Sequence, residues 1–332
     1  MLLLLLSSPI LISAGLPAEP LLVAAGFVVV SAIQFAARGY LLGARRFSAY
    51  ANVLALDAVL RVVLAGALAL AGALVLTGRL SALAFALALM VAILLAHGPM
   101  LRRPLASAPA GREDVRRMRR AVLGLLAGTA AAQVLLNVGP ILINAAAVEP
   151  GTAGAFQSTF SLARIPLFLL VPLQGAVVAP LAGLVAEGRT ARMTGLMLRL
   201  AAGIAVVGVV GAGLAWLIGP WAVELVFGAG RSLPGVDVAL LVLGVCVHAG
   251  LVLTAGALIA AERHGRASVA WVAAVLLFAI GCAALWAPLG PVAAVAVSFL
   301  VSSLLGWVLA LGELVAVGRR AAAGVPEVQR AE

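Results

Sequence analysis

The chain has 332 residues, of which 64% are hydrophobic and 10% charged, with a formal net charge of +10 and a mean hydropathy of +1.21. So apolar a composition excludes a soluble domain, because a window of about 20 apolar residues already spans a bilayer's hydrocarbon core and such windows recur along the whole chain. All 22 basic residues are arginine. They fall in short segments between apolar runs rather than on one soluble face, which makes them loop charge and excludes nucleic acid as a partner.

Cys246 and Cys282 lie inside apolar runs without metal-ligand spacing, and His97, His248 and His264 are far apart. No disulfide framework, metal centre, catalytic nucleophile or cofactor is expected from them. The expected class is all-α: a polytopic helical membrane protein with about ten transmembrane helices in two lobes, four before a linker and six after it.

Taken in order, the first run, Met1 to Gly15, is short for a span, carries Pro9 and lacks the positive opening of a signal peptide, so it reads as a clipped or shortened membrane helix, with a signal peptide the alternative because Ser13, Ala14 and Gly15 resemble a cleavage site. The second goes from Pro20 to Leu42 and ends in a basic segment with Arg38, Arg45 and Arg46. The third, Ser48 to Leu76, contains Asp57 and Arg61, and the fourth runs from Leu80 to Ala96. The stretch His97 to Arg120, HGPMLRRPLASAPAGREDVRRMRR, then holds seven of the arginines and is expected to be a cytoplasmic linker.

Beyond it, Ala121 to Ala147 is a fifth run, and Ala153 to Leu181 a sixth, interrupted by Pro166, Pro172 and Pro180. Arg189, Arg192 and Arg199 surround the entry to the seventh, Leu196 to Ile218. Pro220, Gly228, Gly230 and Pro234 mark an irregular outer loop with a short interfacial helix. The eighth, ninth and tenth runs are Val236 to Ala261, Ser268 to Trp286 and Pro291 to Leu314. The expected organisation is thus a partial four-helix N-terminal lobe over 1–97, an Arg-rich linker over 98–120, a six-helix lobe over 121–316 and a cytoplasmic tail over 317–332.

With the linker in the cytoplasm, 18 arginines fall on that side, Arg79 and Arg231 on the other, and Arg61 and Arg164 within spans. The positive-inside rule then sets both termini inside a bacterial cytoplasmic membrane. Tyr40, Tyr50, Trp216, Trp221, Trp271 and Trp286 fall near predicted span ends, where aromatic belts form, with Trp307 the exception. Gly203, Gly208, Gly211 and Gly213 suit close helix packing and fit no phosphate-loop spacing.

Charges at mid-depth are the candidate functional groups, since a buried charge in a membrane needs a partner or a wet cavity. Asp57 and Arg61 share a helix face with Tyr50. They either neutralise each other within the bundle or face a cavity. Gln157, Ser161 and Arg164 form one stripe on the sixth run. Arg164 has no carboxylate one turn away, so it is either a cavity-facing anion contact or is satisfied by carbonyls freed at Pro166.

On the fifth run, Thr129, Gln133, Asn137, Pro140 and Asn144 make a continuous polar face, suited to sugar hydroxyls or to interhelical contacts and a kink. His248 is expected to be packed or hydrogen-bonded rather than a proton relay.

The segment from Tyr40, YLLGARRFSAYANVLALDAVL, can be laid over ALIAAERHGRASVAWVAAVLL from Ala257 as a weak internal repeat. LLGARRFSAY, FQSTFSLARIPLFLLVPLQGAVVAPLAGLVAEGR, GPWAVELVFGAG and ALIAAERHG resemble polysaccharide-export flippases of the multidrug/oligosaccharidyl-lipid/polysaccharide superfamily. The resemblance covers most of the chain from about residue 20 and implies a MATE-like fold of two six-helix lobes around a central cavity, here without the first two helices of the N-terminal lobe. It further implies a non-enzymatic flippase moving an undecaprenyl-pyrophosphate-linked oligosaccharide by alternating access, with the bilayer, that anionic lipid-linked sugar and envelope polysaccharide assembly proteins as partners.

Under that reading Arg164, Arg61, Asp57, Gln133, Asn137, Asn144, Gln157 and Ser161 would contact substrate, the arginines at phosphate and the amides at sugar. In the related flippases the helix matching the sixth run carries a cavity arginine, which points to Arg164 by helix order. A cation-coupled multidrug exporter of the same fold is the alternative, but it needs buried carboxylates and only Asp57 lies deep in a span. A membrane glycosyltransferase is disfavoured by the linker's two acids, Glu113 and Asp114. A non-transporting or truncated paralogue stays open.

Overall fold

Runs of Leu, Val and Ala without interior breakers form helices, because in lipid each backbone N–H must find its partner within its own segment. The computed structural model describes residues 18–44, 46–75, 82–101, 112–146, 149, 151–167, 181, 183–185 and 187–322. The expected first run, the middle of the linker, Arg45, Arg79, Pro172, Pro180 and Arg330 lie outside them.

The described residues are helical throughout, joined by short turns and without strands. Two compact units result, Met1–Pro109 and Ala110–Glu332. The first holds α1 (Ala18–Gly43), α2 (Phe47–Val75) and α3 (Ala82–Leu101). The second holds α4 (Arg112–Ala145), α5 (Thr152–Ala163), α6 (Thr190–Phe227), α7 (Gly235–Ala260) and α8 (His264–Ala322).

Six described helices are long and apolar enough to cross a membrane, and α8 bends at Gly290, whose φ of 75° leaves the helical region, so it forms the expected ninth and tenth runs as two arms. The chain is a multi-pass membrane protein. Helix enters the expected linker from both sides, since α3 continues to Leu101 and α4 starts at Arg112. The expected outer loop is shorter than the sequence suggests, because α6 continues through Pro220 to Phe227. A proline is tolerated inside a membrane helix where local adjustment satisfies the freed carbonyl.

A helix apolar on all sides belongs at the centre of a bundle. α7 takes that place in the second unit, with 15 buried residues among its 26. α6 buries seven of its 38 and exposes most of the rest. Small residues bring the neighbours close: Gly208 and Gly219 of α6 abut Cys246 and Val238 of α7, and Gly244 and Gly250 of α7 receive Phe299 and Trp307 of α8. Gly203 and Gly213, expected at a packing face, have open space instead.

Trp271 is likewise no belt residue. It is buried at 5% exposure, edge-on to His248 with ring centroids 5.4 Å apart. His248 Nδ1 lies 3.4 Å from Ser303 Oγ, as a packed histidine would.

At Gly250 an added methyl would enter the Trp307 ring, which cannot swing away because its Nε1–H donates to Thr254 Oγ1 at 3.1 Å. Gly250→Ala is expected to cost about 1–3 kcal/mol by overpacking, read as a lower Tm in detergent. Gly213→Ala, with nothing within 4 Å, should leave Tm unchanged or raise it, since alanine favours the helix by about 1 kcal/mol.

The two segments laid over each other as a repeat close in the same way. Ala44 N–H donates to the Tyr40 carbonyl and Arg46 N–H to Leu41, while at the equivalent positions Ala261 donates to Ala257 and Arg263 to Leu258, all within 2.8–3.0 Å. A third turn repeats the pattern, with Glu187 donating to Gly183 and Arg189 to Leu184. Because the third lies outside the proposed repeat, the pattern is a shared way of ending a helix, with Glu262 and Gly188 at positive φ. It is no evidence of duplication.

The two turns that belong to the second unit gather charge at one of its ends. Arg266 pairs with Glu313 at 3.0 Å, Thr194 bonds the Leu314 carbonyl, and Arg319 and Arg320 end α8 beside them. Arg231 sits at the opposite end, in the turn between α6 and α7.

Candidate functional site

Each unit carries its own polar cluster. In the first, Asp57 of α2 is 6% exposed at its side chain and accepts from three groups. Arg38 Nη2 of α1 donates to its Oδ2 at 2.9 Å, Arg61 donates to Oδ1 at 3.0 Å and to Oδ2 at 3.1 Å, and Gln34 Nε2 donates to Oδ2 at 3.0 Å. Arg38 Nε also donates to His97 Nε2 of α3 at 3.2 Å. That leaves the proton of His97 on Nδ1, which lies 3.0 Å from the Ile93 carbonyl.

The expected Asp57 and Arg61 pair is therefore present, and it is part of a five-residue network that joins three helices. Arg38, assigned from sequence to a basic loop, lies inside α1 with its side chain 20% exposed. Gln34 and His97 were missed as well. The spacing of Gln34 and Arg38, four apart inside an apolar run, puts both on one face of the helix, though not by itself a buried one.

The network has two guanidiniums for one carboxylate. Its organising role is structural, since every polar group of Asp57 is taken. The more exposed end is Arg61, at 35% of its side chain.

In the second unit α4 and α5 carry the other cluster. Gln133, Asn137 and Asn144 are exposed on one face of α4, as the spacing predicts. Asn137 Nδ2 donates to Gln133 Oε1 at 3.0 Å. On α5 Gln157 Nε2 donates to Ser161 Oγ at 3.1 Å. Arg164, where α5 breaks, reaches α4: Nη1 donates to Asn137 Oδ1 at 3.4 Å and Nη2 to the Leu136 carbonyl.

That carbonyl has a chemical reason to be there. Pro140 has no N–H, so the Leu136 oxygen four residues earlier loses its helical donor, and the arginine replaces it. The freed carbonyl was expected at Pro166; the structure supplies it from Pro140 on the neighbouring helix. The guanidinium also stacks over Phe160, with Cζ 4.0 Å from the ring centroid.

Arg164 Nε is buried without a partner, and no carboxylate of a described residue meets the side chain. Of the expected residues, the structure thus joins Arg164, Asn137 and Gln133 into one string and Gln157 with Ser161 into a second pair, while Asn144 stays exposed further along α4. No group of acids, histidines and cysteines among the described residues could hold a metal.

This arrangement of helices is that of a known transporter fold. The chain superposes on a crystal structure of a MATE protein, a proline-to-alanine mutant, with a TM-score of 0.60 at 13% identity, over 87% of this chain and 67% of that one. It therefore has the MATE fold.

In sequence it is 30% identical over 259 residues to the uncharacterized protein Rv1510 of Mycobacterium tuberculosis, covering 75% of this chain and 57% of that protein. It is 27% identical over 240 residues to the uncharacterized protein Rv3630 of the same organism, covering 71% and 53%. The chain spans about half the length of these curated relatives. No family model matches it.

Proposed function

We propose that the protein is a membrane transporter of the flippase type, moving an anionic lipid-linked oligosaccharide across the membrane by alternating access. The observation that carries this reading is Arg164. It is a charged group held between two membrane helices with no carboxylate among the described residues to neutralise it, beside an exposed row of amides and hydroxyls. A phosphate would complete its charge, and Gln133, Asn137, Asn144, Gln157 and Ser161 would bond sugar hydroxyls.

The fold supports transport, and the carboxylates speak against a cationic cargo. Asp57 is held by Arg38 and Arg61, Glu313 by Arg266, and Glu224 by Ser232 Oγ and the Gly230 N–H. Arginines neutralise Asp57 and Glu313, so neither of those two is left free to bind a cationic drug or a coupling cation. Arg61, whose Nε and Nη2 already bond Asp57, is a weaker substrate contact than Arg164.

The charged end of the second unit faces the cytoplasm under the positive-inside rule, as does the Arg-rich linker between the lobes. Envelope polysaccharide assembly proteins would supply and consume the substrate.

Reconstituted proteoliposomes test the reading. A polyprenyl-diphosphate-linked oligosaccharide should become accessible to an external lectin in a protein-dependent way, while ethidium should not be exported. Ethidium export driven by a cation gradient, with no movement of the lipid-linked sugar, would instead establish the multidrug alternative.

A further inference from the structure

α6 is too long for the bilayer it crosses. Its 38 residues extend about 57 Å at the helical rise, against roughly 30 Å of hydrocarbon. The excess lies in part at its start, where Arg192 and Arg199 are seven apart and therefore on one face, about 10 Å apart along the axis. From Leu200 to Ile218 the helix is apolar without a charge. Arg199 thus marks the edge of the hydrocarbon, and the turns before it stand at headgroup depth.

A cavity of about 680 Å³ opens on this face, lined by Gly183, Leu184, Glu187, Arg189, Arg192, Gly195, Leu196 and Arg199. Three guanidiniums meet one carboxylate, and that carboxylate is already taken: Glu187 pairs with Arg189 at 3.0 Å. Arg192 and Arg199 are exposed. Gly195 between them has open space where a side chain would stand, so the floor of the cavity is bare helix, with Leu184 and Leu196 as its apolar walls.

We propose that this cavity binds the phosphate of an anionic phospholipid from the surrounding leaflet, with Arg192 and Arg199 as the phosphate contacts and the acyl chains lying along the apolar surface of α6. The site is separate from Arg164 and does not depend on what the protein transports. A phosphate could also come from a soluble ester, which would have no use for the leucines beside the arginines or for a position at the hydrocarbon edge.

The test is lipid retention by the full chain in detergent, followed by native mass spectrometry and by the shift of Tm with added lipid. Dioleoylphosphatidylglycerol should bind and raise Tm, and dioleoylphosphatidylcholine should not. An arginine near an anionic surface contributes about a factor of five in affinity, so R192Q/R199Q should weaken phosphatidylglycerol binding about thirtyfold. R192K/R199K, which keeps the charge, should retain most of it and shows that the pair folds when substituted.

R319Q/R320Q removes the same charge from the exposed end of α8, outside the cavity, and should weaken binding clearly less than R192Q/R199Q does. Equal losses in the two glutamine pairs would mean diffuse surface charge and overturn the site. Binding of sn-glycerol 3-phosphate as tight as that of the lipid would overturn the lipid assignment.

Discussion

Asp57→Asn is expected to remove most of the folded protein from the membrane fraction. The substitution keeps the shape of the side chain but leaves Arg38 and Arg61 facing one another with no negative charge between them. Breaking a buried ion pair by removing one partner costs about 3–5 kcal/mol, against a total stability of roughly 5–15 kcal/mol for a domain.

The three residues should rank by burial and by how many partners each serves. Asp57 is 6% exposed and holds three donors, Arg38 is 20% exposed and bridges to His97, and Arg61 is 35% exposed and bonds Asp57 one turn away on its own helix. Arg61→Gln should therefore be the mildest, because Arg38 still neutralises Asp57. Combining it with Asp57→Asn should cost less than the sum of the two, since the double variant removes the charge that Asp57→Asn leaves unpaired. Gel filtration of a fluorescent fusion and thermal unfolding in detergent give the order. Normal yield of Asp57→Asn with transport abolished would assign the network to transport rather than to folding.

How much of this was legible beforehand depends on which interactions a one-dimensional pattern can carry. Span positions among the described residues were legible because apolar runs and their breaks are local, and the break expected between Trp286 and Pro291 coincides with the bend of α8 at Gly290. Pro220 misled, because a proline inside a water-exposed helix breaks it whereas one in a membrane helix is accommodated.

The stripes on α4 and α5 followed from helical spacing, as did the pairing of Asp57 with Arg61. Contacts between helices were not visible. Arg38 sits five residues from the end of α1, and only the packing of α2 and α3 against it decides that it is a network residue and not a loop charge. Trp271 was misplaced for the same reason: proximity to a span end does not say which way a ring points, and here it points into α7.

Arg164→Gln separates structural from functional need when it is made in two backgrounds. In the native chain Arg164 supplies the donor that Pro140 withholds from the Leu136 carbonyl. Its loss leaves that oxygen unsatisfied and should cost about 1.5–3 kcal/mol, the range for hydrogen bonds to charged groups. In a Pro140→Ala background the alanine N–H reaches the Leu136 oxygen through the ordinary helical bond. The carbonyl then no longer needs the arginine, and Arg164→Gln should cost less than about 1 kcal/mol. This difference, measured as a double-mutant cycle on Tm, isolates the structural share of Arg164.

Transport reads the other share. If the guanidinium contacts the substrate phosphate, export is lost on Arg164→Gln in both backgrounds, because restoring the helix does not restore the charge. If export returns with Pro140→Ala, Arg164 serves only to satisfy a proline's neighbour, and the anionic substrate loses its principal contact.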